Sequence, residues 1–311
     1  MEKHLQKATE NFSLGKILSY EKLNSSENNV YKVSTQKGVY VIKIFSKSAI
    51  KNIFDYFRKK KQIEISKVLA KADVPCILPL ELKGKNFFKY EQYYLVYPYL
   101  NEASSLEFTE IEIRKVAQMQ SKIHKLKICK KLPLFYKKLK FDFGVVTKKF
   151  AHNLELTNLI QNRLKDLNNL IDLSNQGIKK IKNNLCITHN DFKKSNILWI
   201  NDQPVLIDFD TLGLANPTCT MIESAYNFAI KDNEINFAFL EAYFNEYKKS
   251  FGKMAEDFNE AFWASLNGKL RWYQYLVNQK REQEILKMTK MLLLIYDNQK
   301  EIAKIYERID N

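Results

Sequence analysis

Apolar residues mark a strand-rich segment near the beginning of the chain. The segment 30–35 and the mostly apolar segment 39–45 flank the short turn Gln36-Lys37-Gly38, as in a β-hairpin. Lys43 shares one face of the second segment with apolar residues, so it is a lone cation in an apolar strand. Further strands are predicted at residues 77–82 and 92–97.

Helical patterns dominate the rest of the chain. The segment 49–72 is rich in Lys, Ile and Glu, and it is predicted to form a helix that ends before Pro75. Thr109 and Glu112 have the spacing of a capping box, which predicts the beginning of a second long helix. The remaining predicted elements are a helix pair at 151–183 broken near Gly177, a β-rich island at 185–209, and four or five helices from Pro217 onwards.

The order of these elements predicts the domain organisation. A strand-rich part comes first, the segment Tyr97-Pro98-Tyr99 interrupts the pattern, and a helix-rich part with one β insert follows. We therefore expect an α+β protein with an N-terminal lobe at 1–97 and a helical lobe at 98–311. The length of 311 residues agrees with about two domains.

Glycine is scarce, and this limits the ways in which the chain could bind a nucleotide. There are 8 glycines, and no two of them lie closer than the 16 residues between Gly252 and Gly268. This spacing excludes both G-x-G-x-x-G and G-x-x-x-x-G-K-[ST]. Any nucleotide site must therefore hold its phosphates without a glycine-rich loop.

The charge of the chain is strongly positive, with 50 Lys+Arg against 35 Asp+Glu and a formal net charge of +15. Such a charge is common in nucleic-acid-binding proteins. The basic residues are dispersed, however, and their short runs are not interleaved with aromatic side chains. The pattern favours a solvated lysine-rich surface, and no nucleic-acid partner is expected.

The spacing of the cysteines and the length of the apolar runs predict the cellular compartment. The 4 cysteines are scattered and form no C-x-x-C pair, which argues against a zinc site or a disulfide framework. The first residues lack the apolar core of a signal peptide. The longest apolar run near the end is far shorter than the roughly 20 residues that span a bilayer. We expect a cytoplasmic protein with no membrane partner.

The most specific chemical pattern lies between residues 188 and 210. His189, Asp191 and Asn196 form H-x-D-x-x-x-x-N, and an apolar strand ending in Asp208 follows 17 residues after Asp191. A polar turn between two buried strands would also use Asp and Asn. The joined pattern is more specific than either half, and Lys43 upstream adds to it.

This joined pattern resembles the catalytic and metal-binding segments of the protein-kinase-like fold. The nearest resemblance is to the aminoglycoside phosphotransferase and choline kinase family of small-molecule kinases. It implies two lobes, with a small antiparallel sheet in the N-terminal lobe and a larger, mostly helical C-terminal lobe. It also implies that Asp191 orients the acceptor hydroxyl and takes its proton, while Lys193 contacts the transferred phosphate. Asn196 and Asp208 would bind Mg²⁺.

The same resemblance implies that the N-terminal lobe binds ATP or GTP. Lys43 would bind the α and β phosphates and pair with a glutamate of the next helix. Of the two acids in that predicted helix, Asp55 and Glu64, Glu64 lies deeper and is favoured. The polar loop at 23–31, where the family usually carries glycine, would meet the phosphates, and the connector at 97–99 would meet the base. The individual residues expected to contact the nucleotide are Ser25, Asn29, Tyr97 and Tyr99.

The acceptor is expected to be a small molecule with a hydroxyl group: an aminoglycoside, choline, another amino-alcohol or a sugar. Aminoglycosides and choline are cations, so their site needs carboxylates or aromatic faces. The segment Gly268–Trp272 resembles a late helix of bacterial members of this group. The candidate acceptor contacts are Asp210, Glu223, Asp257, Glu260, Trp263 and Trp272. The chain is expected to act as a monomer or a dimer.

Three other functions stay open at this point. A protein kinase would share Asp208-Phe209-Asp210, which resembles DFG, but Pro217 follows too soon for a long activation segment, and no Ala-Pro-Glu occurs. A non-catalytic nucleotide-binding scaffold is a second alternative, although both Asp191 and Asn196 are present. A nucleic-acid-binding protein is the third, and its binding would depend strongly on salt.

Overall fold

A computed structural model describes residues 2–23, 28–100, 108–127, 132–181, 183–252 and 258–310. The strands, in chain order, are β1 (Ile17–Leu23), β2 (Asn29–Thr35), β3 (Gly38–Ile44), β4 (Phe88–Lys89), β5 (Tyr93–Pro98), β6 (Cys186–Thr188), β7 (Ile197–Ile200), β8 (Gln203–Leu206), β9 (Gly213–Ala215), β10 (Ile230–Lys231) and β11 (Glu234–Ile235). The helices are α1 (Glu2–Asn11), α2 (Ile53–Lys71), α3 (Glu110–Lys125), α4 (Gly144–Lys149), α5 (Leu154–Asn162), α6 (Leu164–Lys180), α7 (Pro217–Ala229), α8 (Phe237–Phe251), α9 (Phe258–Ser265), α10 (Asn267–Gln279), α11 (Glu282–Asp297) and α12 (Gln299–Asp310).

The chain divides into two compact units. The first comprises Met1–Ser104 and Leu198–Asp210, and the second comprises Ser105–Ile197 and Thr211–Asn311. A small antiparallel sheet characterises the first unit and helices dominate the second, which confirms the predicted fold class. The assignment of nucleotide binding to 1–97 and of catalysis to 98–311 stays a prediction. In the described part of the chain, no helix is both long and apolar enough to cross a membrane.

The first unit is built on a five-stranded antiparallel sheet in the order β1-β2-β3-β5-β4. The predicted hairpin is confirmed, with Thr35 of β2 opposite Gly38 of β3. Lys43 lies on the central strand β3, between Val30 of β2 and Leu95 of β5. One sheet face packs against α1 in an apolar core. Its buried residues are Leu5, Ala8, Leu14, Tyr31, Val33, Ile42, Ile44, Tyr94 and Val96.

Helix α2 begins at a polar cap, because the side chain of Asn52 accepts hydrogen bonds from the N–H groups of Phe54 and Asp55. Its buried face repeats at intervals of three and four residues, and Ile63 on that face packs with Phe45 and Leu95. The other buried residues of α2 are Lys59, Gln62, Ile65, Ser66 and Leu69.

The strand predicted at 77–82 does not form. Cys76 and Leu82 make isolated bridges there, to Leu206 and Lys85 respectively, and no named strand covers the segment. Pro75 and Pro79 explain the difference, because proline has no N–H to donate to a sheet ladder.

Two tight hairpins use asparagine and aspartate where glycine is usual. Asn201 and Asp202 connect β7 to β8 with φ of 49° and 59°, and Asp232 and Asn233 connect β10 to β11 with φ of 50° and 63°. A two-residue turn with positive φ at both positions matches the right-handed twist of the strands. Asn and Asp tolerate this left-handed conformation better than other non-glycine residues, which suits a chain with few glycines.

In the second unit, the predicted capping box is present at the beginning of α3. The N–H of Thr109 donates to the Glu112 carboxylate at 2.7 Å, and the N–H of Glu112 donates to the Thr109 hydroxyl at 3.3 Å. Between the helices, β6 pairs antiparallel with β9. From Pro217 onwards the described residues form six helices, α7 to α12, rather than the predicted four or five.

Gly177 lies inside α6, whereas the sequence pattern predicted a break near it. The break falls earlier, at Arg163 between α5 and α6. A Cβ atom on Gly177 would come within 2.6 Å of the Glu260 carbonyl oxygen and 2.9 Å of the Ala264 nitrogen on α9. The glycine therefore permits close packing of α6 against α9 and does not end a helix.

Candidate active site

Lys43 lies in the first unit with two carboxylates. Its Nζ is 2.7 Å from Oδ1 of Asp208 and 2.8 Å from Oδ2 of Asp210, and the residue is 6% exposed. Burial alone would lower the pKa of Lys43, but the Asp210 and Asp208 carboxylates overcome this effect and raise it. A buried ammonium therefore stays charged at a site where it could also meet a phosphate.

Asp210 is held by further groups that the sequence did not reveal. Nζ of Lys59 on α2 lies 3.1 Å from the Asp210 carbonyl oxygen and 3.4 Å from Oδ1. Nδ2 of Asn28 donates to Oδ2 of Asp210 at 3.1 Å, while Oδ1 of Asn28 accepts from the N–H of Ser46. Asp210, expected to contact the acceptor, thus belongs to the Lys43 cluster of the first unit.

Glu64 is exposed on α2, and Lys43 pairs with Asp208 and Asp210 instead. The reason is helical register. The buried face of α2 passes through Lys59, Gln62 and Ile63, and the next position along the helix turns away from it. The intervals of three and four residues from Lys59 to Gln62 and Ile63 could have indicated that Lys59 lies on the buried face.

Three of the other residues predicted to bind the nucleotide, Asn29, Tyr97 and Tyr99, lie in or next to the sheet of the first unit. Asn29 begins β2 opposite Ile44. Tyr97 lies on β5, and burial raises the pKa of its hydroxyl although Lys43 opposes the rise. The N–H of Tyr99 donates to a carbonyl oxygen of β3 at 3.1 Å. Ser25 is outside the described residues. Nucleotide contact by all four stays a prediction.

In the second unit, the Asp191 carboxylate is contacted on both oxygens. Nζ of Lys193 is 2.9 Å from Oδ1, and Nδ2 of Asn196 donates to Oδ2 at 2.8 Å. The same Nδ2 lies 2.8 Å from the Asp191 carbonyl oxygen, so Asn196 fixes both the side chain and the backbone. Asn190 precedes them with a φ of 56°, a conformation that turns the chain after β6.

The predicted magnesium ligands are Asn196 in the second unit and Asp208 in the first. Both hydrogen bonds donated by the Asn196 amide go to Asp191, and among the described residues none donates to its Oδ1. The Asp208 side chain is 42% exposed. Amide and carboxylate oxygens are donors that Mg²⁺ prefers, so these residues fit the ion. Among the described residues, no group of three His, Cys, Asp or Glu could hold a metal.

Of the predicted acceptor contacts, Glu223 belongs to the charge cluster at Asp191. Trp263 is buried, and its indole N–H donates to Asn259 at 2.9 Å. Glu260 ion-pairs with Lys180. Trp272 stacks on Tyr275 and lies under the Arg281 guanidinium. Asp257 is outside the described residues.

Glu223 on α7 is surrounded by charges of both signs. Burial raises the pKa of its carboxyl to about 7, and Asp191 adds to the rise. Lys269, Arg271 and Lys193 oppose it. Lys269 and Arg271 come from α10 and were not predicted as site residues, although the sequence segment that contains them had been noted.

We expect Glu223→Gln to flatten the pH dependence of stability. The folded chain keeps the Glu223 proton up to about pH 7, whereas an unfolded glutamate loses it near its ordinary pKa of 4.5. Between these values the folded state binds more protons, so its stability falls as pH rises and levels off above the folded pKa. Urea denaturation from about pH 5 to about pH 8 measures the slope.

Glu234→Gln on β11 is the control for this measurement, because that carboxylate is exposed. It should reproduce the slope of the wild-type protein. Equal slopes for Glu223→Gln and wild type would show that the Glu223 carboxyl does not titrate as described.

Comparisons with known proteins identify the family of the chain. A family model described as "Phosphotransferase enzyme family" matches residues 19–255. No curated protein matches the chain. Among solved structures, a spectinomycin phosphotransferase in complex with ADP and spectinomycin is similar, with a TM-score of 0.68, 13% identity, and coverage of 99% of this chain and 98% of that chain.

Two further solved structures share the fold. An amicoumacin kinase in complex with AMP-PNP, Ca²⁺ and Ami has a TM-score of 0.61 at 14% identity, covering 96% of each chain. An ethanolamine kinase of Plasmodium vivax has a TM-score of 0.56 at 12% identity, covering 89% of this chain and 81% of that chain. At these identities the likeness concerns the fold, while the family model covers about three quarters of the sequence. The chain belongs to the phosphotransferase enzyme family.

Proposed function

We propose that this protein transfers the γ-phosphate of ATP or GTP to a hydroxyl group of a small molecule. In this reaction a bond forms between the acceptor oxygen and the γ-phosphorus. The bond from that phosphorus to the β–γ bridging oxygen breaks, and the nucleoside diphosphate leaves. The hydroxyl proton passes to the Asp191 carboxylate. The acceptors to be considered are aminoglycosides, choline, other amino-alcohols and sugars.

The observation that carries this proposal is the arrangement around Asp191. A carboxylate that receives a proton must be fixed in position. The contacts from Lys193 and Asn196, one on each carboxylate oxygen of Asp191, restrict its rotation. Lys193 could then move from Asp191 to the transferred phosphate as negative charge develops there.

The Lys43 cluster supports a role for the first unit in binding the triphosphate. Its carboxylates keep the ammonium charged before the nucleotide arrives. Asp208 and Asn196 would hold Mg²⁺, which neutralises phosphate charge when bound. Lys43 would contact phosphate oxygens, and Asn28 and Lys59 would keep Asp210 in place. A neighbouring fold that was solved with ADP, and another with AMP-PNP, support a nucleotide donor.

A small acceptor is favoured over a protein substrate by the segment after Asp210. Helix α7 begins at Pro217, with only the short strand β9 between them. Protein kinases carry a long activation segment at this position, which binds the substrate peptide. The short connection favours a small acceptor.

The proposed function is tested by acceptor-dependent release of nucleoside diphosphate. ATP and GTP are supplied with amino-alcohols, sugars, hydroxy acids and aminoglycosides, with magnesium or with a chelator. We expect release that needs both an acceptor and magnesium. Nucleotide binding is measured separately, and a protein that neither binds nor cleaves either nucleotide would contradict the proposal.

A further inference from the structure

The charged side chains near Asp191 differ from those expected for a cationic acceptor. A polycationic aminoglycoside would need several carboxylates, and choline would need a carboxylate or an aromatic face. Asp210 instead belongs to the Lys43 cluster, and Glu260 is paired with Lys180. Glu223 is the predicted acid that interacts with Asp191, and two cations of α10 interact with it.

The first of these cations, Lys269, is 7% exposed. Its Nζ donates to Oδ1 of Asn227 at 2.6 Å. Among the described residues it forms no direct ion pair, although Glu223 and Asp191 interact with its charge from farther away. A buried ammonium whose direct partner is an amide oxygen is costly, so a further anion at this position would stabilise it.

The second cation, Arg271, is half-buried. Its Nη1 donates to the carbonyl oxygen of Phe135 at 2.6 Å, and its guanidinium lies 5.2 Å from the centre of the Phe135 ring. Within the described part of the chain it also forms no ion pair. A guanidinium carries five N–H donors, and those that remain suit the two oxygens of an anionic group.

Hydrogen bonds link Lys269 to the loop of the proposed base. Nδ2 of Asn227 donates to the carbonyl oxygen of Phe192, which follows Asp191, at 3.0 Å. Oδ1 of the same Asn227 accepts from Lys269. A single side chain, that of Asn227, therefore connects the ammonium group to the loop of Asp191, and the Asp191 charge interacts with it.

Gly268 allows α10 to place its two cations near the Glu223 carboxyl. A Cβ atom at this position would lie 2.5 Å from Oε1 of Glu223 and 3.2 Å from the Phe135 ring. A larger residue at this position would displace the Glu223 carboxyl from its place beside α10. The residues that follow, Lys269 and Arg271, are thereby placed within electrostatic range of it.

The charges in this cluster do not balance. Lys193 is paired with Asp191. Lys193, Lys269 and Arg271 are three cations, whereas Asp191 and Glu223 are two carboxyls, so a net positive charge remains. A polycationic acceptor would be repelled by such a site, whereas an acceptor with its own anionic group would complete it.

We propose that the acceptor is an anionic hydroxyl compound, whose carboxylate or phosphate group binds Lys269 and Arg271 while its hydroxyl group meets Asp191. This inference rests on the proposed function and narrows its acceptor. Hydroxy acids, hydroxylated amino acids and sugar phosphates share the required chemistry. Glu223 would accept a hydrogen bond from a second hydroxyl or an ammonium group of the same molecule.

The test uses pairs of compounds that differ by the anionic group. Suitable pairs are serine and ethanolamine, homoserine and 3-aminopropanol, gluconate and sorbitol, and glucosamine 6-phosphate and glucosamine. The full chain is incubated with each compound and a non-hydrolysable nucleotide, and the shift of its thermal unfolding midpoint is measured. Diphosphate release with ATP and GTP is measured for the same compounds.

We expect a larger midpoint shift and faster release with the anionic member of at least one pair. In the double variant Lys269→Met, Arg271→Met, apparent affinity for that compound should fall at least about tenfold, because hydrogen bonds between charged groups are lost. Methionine matches the length and volume of these side chains, so folding should be retained. Lys287→Met, an exposed position on α11, is the matched control.

Each outcome decides the inference. Preference for carboxylates or for phosphates supports it and identifies the anion. Preference for the cationic or neutral member of every pair overturns it, as does equal response of the wild-type protein and the double variant to all compounds. The proposed function fails separately, if the wild-type protein does not bind a nucleotide at all.

Discussion

Asp191→Asn is expected to abolish phosphate transfer while nucleotide affinity stays within about twofold of wild type. General-base catalysis contributes about 10²- to 10⁴-fold to such reactions, and an amide cannot accept the hydroxyl proton. Asparagine retains the size of aspartate, so the contact from Lys193 or Asn196 to the remaining oxygen can persist. The two quantities are kcat from diphosphate release and Kd from nucleotide titration.

A carboxylate far from the motif provides the control for this prediction. Asp232→Asn changes an exposed residue in the β10–β11 turn, where asparagine tolerates the same backbone conformation. It should retain full activity. If Asp191→Asn retained turnover near that of wild type, Asp191 would not be the base.

Asp208→Ala is expected to remove the magnesium-dependent part of nucleotide affinity. Loss of groups that merely support a metal ligand weakens metal binding by about 10- to 100-fold, so loss of a ligand itself should weaken it at least about tenfold. Alanine is strained at the left-handed φ of 60° of this position, so some stability should be lost. Lys43 keeps its contact with Asp210 at 2.8 Å, and the fold should persist. Nucleotide titrations with magnesium and with a chelator separate the two contributions.

Glu64→Ala serves as the matched control in the same unit. Glu64 was predicted to pair with Lys43, but it is exposed and Lys43 has other partners. Its replacement should change the magnesium-dependent affinity less than about twofold, because exposed charges contribute little. Unchanged magnesium dependence in Asp208→Ala would exclude Asp208 as a ligand.

The contact between Asp191 and Asn196 was predictable from sequence because the two residues are close together in the chain. The spacing from His189 to Asn196 fixes which side chains a single turn brings together, and Asn196 does contact Asp191. Lys43 was also predictable, since a lone cation in an apolar strand needs anionic partners. Both predictions depend on residues close together in the chain, and such local patterns can be read without knowing the tertiary structure.

The partners of these residues were less predictable because they come from distant parts of the chain. The register of α2 determines that Lys59, and not Glu64, lies on the buried face of the helix. An error of one residue in that register rotates the predicted face by about 100°. Asp210 was placed with the acceptor, because its true position depends on the left-handed Asp208 and on the short helical turn at Phe209–Thr211, and the apolar strand pattern before them indicates neither. Lys269 and Arg271 had no comparable signal, since their importance depends on how α10 approaches α7 at Gly268.

The scarcity of glycine has a consequence for the course of laboratory selection. Asn201 and Asp232 adopt left-handed conformations in hairpin turns, and Asp208 adopts one with a φ of 60°. Glycine fits the backbone at all three positions. Under selection for stability, libraries should accept glycine in the turns. Under selection for activity, glycine should disappear from position 208, where the folded chain would lack its carboxylate. The difference between the two selections would show at which positions only the backbone conformation is required and at which the carboxylate is required as well.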